Sequence, residues 1–96
     1  MGKPTIQEGG GDIFIRPGSD IKLTCDTKSL EEQGSPDIYT YIWQRGTRKQ
    51  GETSVATFTV PSASEGDSGM YMCTVSNVEG FSESSDAVYV HVTSGK

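Results

Sequence analysis

The sequence predicts a small all-β protein built as two packed layers of strands, a β-sandwich of about seven strands. Only 32% of the 96 residues are hydrophobic and 12 are glycine, a balance that suits strands with one buried face and many turns between them. Several segments alternate apolar and polar residues, which is the period of a β-strand. The length suits one domain over residues 1–96, with about 4–93 ordered and residues 1–3 and 94–96 as expression or linker ends.

The part of the chain before the first cysteine predicts three strands. Pro4–Glu8 and Asp12–Arg16 have strand character, and three consecutive glycines at positions 9–11 let the backbone bend between them. Asp20–Cys25 alternates cleanly, with Ile21 and Leu23 on the inward side. Residues 27–37 follow as a polar loop of 11 residues, which is long for this place.

The central part predicts a strand over Ile38–Gln44, which is rich in β-forming residues. Counting by twos from Trp43 puts Tyr41 and Tyr39 on the core face and Ile42 on the outward face. The polar segment 45–51, with a glycine at each of positions 46 and 51, is interpreted as a connector without a strand of its own.

Three more strands complete the expected set. They are predicted over Thr53–Val60, Gly69–Asn77 and Ala87–Val92. The polar corner at 62–68 and the turn at 77–80 separate them. The valines of the last strand are expected to face inward and Tyr89 outward.

One short segment carries the strongest motif. Acid, glycine, tyrosine and cysteine occupy every second position from 67 to 73, and a tryptophan lies between the two cysteines. The residues of the motif are Cys25, Trp43, Asp67, Gly69, Tyr71 and Cys73. This order resembles the immunoglobulin superfamily over most of the chain. The 24 residues from the tryptophan to Asp67 leave no room for the two extra strands of a variable-type domain. The compact spacing from Trp43 to Cys73 is most similar to C2- or I-set domains of cell-surface receptors and adhesion proteins, including Fc-receptor-like ones.

The resemblance implies a Greek-key sandwich with a disulfide between the sheets, from Cys25 to Cys73. Trp43 would cover this bridge, and the Tyr71 hydroxyl would bond to the backbone just upstream. It further implies that Asp67 pairs with a basic residue near the connector, for which Arg48 and Lys49 are the candidates. Gly69 would leave space where the corner backbone turns, and the glycines at 9–11 would mark a first strand that crosses between the sheets.

The two cysteines allow only one bridge, and they lie 48 residues apart. Closing a loop of that length stabilises a domain by about 4 kcal/mol in the chain-entropy model. A disulfide indicates an oxidising compartment, hence an extracellular or cell-surface location. The alternative is a pair of reduced cysteines in an intracellular domain.

Catalytic and metal-binding constellations are not evident in the sequence. The one histidine, His91, is interpreted as an exposed surface residue, and no serine stands in a nucleophile-elbow motif. Glu31, Glu32 and Asp37 lack the spacing of a calcium loop and are interpreted as a solvated acidic loop. We therefore expect no enzymatic activity, no cofactor and no metal.

The overall charge limits the class of partner. A net charge of −5 and a sequence pI of about 4.6 speak against nucleic acid and against anionic membranes. No apolar run approaches the roughly 20 residues of a membrane span, so this domain is not expected to insert. The chain begins without a signal peptide, which we interpret as excision of the module from a longer, membrane-anchored protein. A protein ligand or a neighbouring domain remains as the partner, and a homophilic contact is a further option.

Two surfaces are candidates for binding that partner. We define the C–F–G face by four residues expected to face outward on three neighbouring strands: Ile42, Met70, Met72 and Tyr89. Contiguous apolar patches of this kind usually mark interfaces. The second candidate is the loop end formed by residues 27–37 and 77–80. The expected function is that of an extracellular recognition module of a receptor or adhesion protein. The alternative is an intracellular I-set domain of a giant muscle or cytoskeletal protein.

Overall fold

A computed structural model describes residues 2–9, 11–31, 39–78 and 80–94. Within these ranges the chain forms nine strands, one α-helical turn and one 3-10 turn over Glu65–Asp67. The strands and the helix are β1 (Thr5–Ile6), β2 (Asp12–Ile15), β3 (Ile21–Asp26), α1 (Lys28–Glu31), β4 (Thr40–Arg45), β5 (Arg48–Thr53), β6 (Thr57–Val60), β7 (Gly69–Asn77), β8 (Gly80–Phe81) and β9 (Val88–Val92).

The strands form the two layers that the sequence predicts. The smaller sheet has the order β1-β3-β6, and the larger has the order β2-β9-β7-β4-β5, with β8 paired to β7. The first strand is divided between the sheets, because β1 pairs with β3 whereas β2 runs parallel to β9. The expected crossing near the glycines is therefore confirmed. Gly9 fits this crossing, since a side-chain Cβ there would lie 2.9 Å from the Ile6 carbonyl oxygen.

The core lies between the two sheets and follows the predicted alternation. Its fully buried members are Ile21, Leu23, Cys25, Leu30, Trp43, Tyr71, Cys73, Val75, Val88 and Val90. Cys25 and Cys73 form the expected disulfide, with their Cα atoms 6.2 Å apart. The Trp43 ring stacks on Phe58 at 5.3 Å, and its indole N–H donates to the Thr53 hydroxyl at 3.2 Å. The disulfide and the stack of Trp43 on Phe58 thus link the two layers.

Two expectations for local structure are wrong. The segment from 45 to 51 is not a plain connector, because β5 begins at Arg48 and pairs with β4 across a tight turn. The following strand consequently begins at Thr57 rather than Thr53. The loop after β3 contains the helical turn α1, whose Leu30 is fully buried. The polar segment 48–53 forms a strand because it can pair with the edge of β4. The helical turn α1 is held against the core by its one large apolar residue, Leu30.

The corner before β7 has the expected tyrosine bond but a different ion pair. The Tyr71 hydroxyl donates to the Asp67 carbonyl oxygen at 2.6 Å. The Asp67 carboxylate lies 3.8 Å from the Arg45 guanidinium, so the prediction of Arg48 or Lys49 as its partner is wrong. Lys49 pairs instead with Glu52 on its own strand. Arg45 is the last residue of β4 and is carried to the corner because it lies directly opposite Tyr71.

Candidate protein-binding face

The outward surface of the larger sheet contains the four residues of the C–F–G face. Met70 and Tyr89 lie directly opposite each other on β7 and β9, and they are 49% and 43% exposed. Met72 lies opposite Gln44 and Ile42 opposite Thr74, and both apolar side chains are half-buried. Met70 and Tyr89 are therefore an exposed cross-strand pair. Ile42 and Met72 are diagonal neighbours beside this pair, and their side chains are less exposed. Diagonal neighbours of this kind are within reach of long side chains.

Sequence reasoning missed one residue on this surface, Phe14. Its side chain is 69% exposed, and β2 places it directly opposite His91 on β9. The three rings of Phe14, His91 and Tyr89 form a column, with centroid separations of 4.8 Å and 4.1 Å. The strand character of residues 12–16 was visible in the sequence. The parallel pairing with the last strand, which puts Phe14 beside the C–F–G face, was not.

His91 is more enclosed than the sequence suggested. Its side chain is 31% exposed and lies between two aromatic rings, with Nε2 at 3.6 Å from the Asp12 carboxylate. The prediction that His91 is an exposed surface residue is therefore wrong. His91 is half-buried and packs between Phe14 of β2 and Tyr89 of β9.

The corner before β7 is held by Arg45, the last residue of β4. Burial raises the pKa of the Tyr71 hydroxyl, and the hydrogen bond and charge of Arg45 act in the opposite direction. The same guanidinium donates to the Gly66 carbonyl oxygen at 2.7 Å. A Cβ at Gly69 would lie 2.8 Å from the Arg45 side chain, so the glycine makes room for it. These contacts are structural, and they fix the start of the strand that presents Met70 and Met72.

A groove of about 490 Å³ lies away from the C–F–G face, between β1 and the start of β9. It is lined by Thr5, Ile6, Gln7, Gly9, Asp26, Asp86, Ala87 and Val88. The Asp86 carboxylate accepts a bond of 2.8 Å from Lys3, which raises the pKa of that lysine. The Asp26 carboxylate accepts from the Lys28 backbone N–H. Both acids of the groove thus serve intramolecular contacts.

The second candidate surface is only partly described. Residues 32–38, which include Glu32 and Asp37, lie outside the described residues, as does position 79 in the opposite turn. Among the residues that the structure does describe, no group of three acidic, histidine or cysteine side chains could hold a metal ion. In the same part of the chain no helix is long and apolar enough to cross a membrane.

Comparison with solved structures finds the same fold in several proteins. The second Ig-C2 domain of human Fc-receptor like A is 20% identical with a TM-score of 0.65, over 97% of this chain and 99% of that one. The N-terminal Ig1-2 module of the Drosophila receptor protein tyrosine phosphatase DLAR is 23% identical with a TM-score of 0.66. That alignment covers 96% of this chain and 46% of the module, so this chain spans about half of it.

An intracellular protein is also among the similar structures. The titin domain M4 is 19% identical with a TM-score of 0.61, over 94% of this chain and 95% of that one. No curated protein matches the chain. A family model described as "Immunoglobulin domain" matches residues 3–92. This match, together with the cysteine pair, the buried Trp43 and the bond of Tyr71 to the corner backbone, shows that the chain belongs to the immunoglobulin-domain family.

Proposed function

We propose that this domain is a non-enzymatic recognition module of an extracellular receptor or adhesion protein, and that it binds a protein partner through the C–F–G face. The observation that carries the first part is the closed bridge between Cys25 and Cys73. Structural disulfides form and persist in oxidising compartments and are rare in the cytosol. The receptor domains among the similar structures support the same assignment.

The binding surface is assigned from its exposure and from its charge. Met70 and Tyr89 leave a large part of their apolar area in water, although the core beneath them is complete without them. Gln44 and Thr74, which lie opposite Met72 and Ile42, are uncharged. The charged Glu52 and Lys49 lie at the β5 margin of the face, opposite Ile42 and Gln44. Interface cores are depleted of charge and enriched in methionine and aromatic residues, which is the composition found here.

The experiment that tests this surface uses the domain as a fluorescent tetramer on a panel of intact cell types. Met70→Glu places a charge in the middle of the C–F–G face at an exposed position, so the fold should tolerate it. We expect binding to fall at least about tenfold, because an unpaired charge must be desolvated in the complex. Thr59→Glu is the matched control, since Thr59 is exposed on β6 of the opposite sheet. If both variants bind as well as the unmodified tetramer, the C–F–G face does not contribute to binding.

A second candidate is an elastic structural domain inside the cell, which the similarity to titin M4 favours. Thiol titration of the freshly isolated native protein under non-reducing conditions separates the two functions. The receptor function predicts no reactive thiol after unfolding, because both cysteines are bridged. Two free thiols would overturn it and support the intracellular domain.

A further inference from the structure

Among the residues that the structure describes, the strand β2 forms an open edge of the larger sheet. It pairs with β9 on one side and is the outermost strand in the sheet order. The Ile15 carbonyl accepts from the Thr93 N–H at 2.9 Å, so Ile15 directs its backbone groups towards β9. Successive residues of a strand direct these groups to opposite edges. The N–H and C=O of Phe14 therefore point away from β9, to the open edge.

Proteins usually protect such an edge from pairing with another chain, using charges, proline, bulges or a cover. The opposite edge of this sheet has such protection, because β5 carries Arg48, Lys49 and Glu52 and its register shifts beside Trp43. β2 carries one charge, at its first residue Asp12. Its other three residues are apolar, and its register with β9 is continuous. The β5 edge of the sheet is thus better protected against pairing with another strand than the β2 edge.

The sequence of the β2 edge is complementary to itself. About Phe14 as the centre, an acid lies two residues before and a base two residues after, with an isoleucine on each side. We propose that β2 pairs antiparallel with β2 of a second copy of this chain, about a two-fold axis at Phe14. The opposed pairs are then Asp12 with Arg16, Ile13 with Ile15, and Phe14 with Phe14.

The backbone and side chains of the single chain already suit this pairing. Because the Phe14 N–H and C=O face the edge, the two copies exchange two reciprocal hydrogen bonds there. The carboxylate of Asp12 and the guanidinium of Arg16 both lie on the exposed face. Opposite charges placed directly across two strands attract, and like charges repel. The two-fold axis makes each such pair occur twice.

The aromatic column explains how the second copy covers Phe14. One side of the Phe14 ring stacks on His91, and the ring is still 69% exposed. In the pairing, its open side meets Phe14 of the second copy and the column continues from one sheet into the other. Ile13 and Ile15 already pack against the core of their own domain, so they only extend it across the edge.

The contact is small, since it involves one short strand from each copy. Interfaces below about 1,000 Å² belong to the weak and transient class. Such a contact becomes effective when several copies are held together on one surface, because linkage raises the effective concentration. This inference extends the proposed function to homophilic pairing, but it uses the sheet edge and does not rest on the C–F–G face.

Sedimentation velocity of the intact chain up to about 1 mM tests the pairing, a limit that corresponds to a very weak association. We expect a concentration-dependent dimer for the unmodified chain. Asp12→Lys alone should weaken it by about tenfold or more, because lysine then faces Arg16 at both ends. Arg16→Glu alone should do the same, because glutamate then faces Asp12. A one-to-one mixture of the two variants should restore the dimer, because both end pairs of the mixed dimer are again of opposite sign.

The mixture also controls for folding, since neither variant could complement the other if one were unfolded. A chain that stays monomeric throughout the range overturns the inference. So does a dimer that both single variants leave intact, or a mixture that stays monomeric. Met70→Glu should leave this dimer unchanged, so loss of cell binding by that variant and loss of self-association by the edge variants are separate results.

Discussion

The tyrosine corner gives the sharpest prediction for stability. Tyr71→Phe removes one hydroxyl and leaves the buried ring in place. That hydroxyl donates to the Asp67 carbonyl oxygen at 2.6 Å, and the Tyr71 side chain is fully buried. The loss of one hydrogen bond, with a carbonyl left short of its partner, costs about 1–2 kcal/mol of unfolding free energy. For a domain of this size, each kcal/mol lowers Tm by about 4–8 °C.

Urea denaturation followed by tryptophan fluorescence measures this change, because Trp43 is fully buried and reports on the core. Tyr89→Phe is the matched control, since it removes the same hydroxyl from an exposed strand position and keeps the ring that stacks on His91. We expect the control to stay within about 0.5 kcal/mol of the unmodified protein. If Tyr71→Phe falls inside the same range, the corner bond does not stabilise the domain and the reasoning is refuted.

Three further predictions concern the bridge, the arginine and the pH dependence. Replacing both Cys25 and Cys73 by alanine should cost about 4 kcal/mol in a denaturant titration, because the bridge closes a loop of 48 residues; a loss below about 1 kcal/mol would contradict it. Arg45→Met should destabilise by about 1–2 kcal/mol, since Arg45 bonds to Gly66 and pairs with Asp67, whereas the exposed Arg48→Met should change little. Stability should fall as the pH rises above about 10. Burial raises the pKa of Tyr71, so the unfolded chain releases that proton first and ionisation favours unfolding. Tyr71→Phe should flatten this alkaline slope, as measured by Tm at successive pH values, and an unchanged slope would assign it to other groups.

The sequence alone determined the class of fold and the residues of its centre. Alternation at period two identifies the inward residues of β3, β7 and β9, because a strand must show the same face to the core along its length. The order of the motif along the chain is distinctive, so the sequence alone identifies the two cysteines, Trp43 and Tyr71 as residues of the core. These signals are local, so they are readable without knowing which strands are neighbours.

Only the tertiary structure decided which residues meet across strands. Nothing in residues 48–52 predicts a strand, because these polar residues pair only when β4 presents an edge. The register of β4 against β7 brings Arg45 to Asp67. This register cannot be read from the order of basic residues along the sequence. The parallel pairing of β2 with β9 likewise sets Phe14 beside His91 and leaves its other side open. Pairing between distant strands depends on the whole fold, and that is why the core was predictable while the surface was decided by the structure.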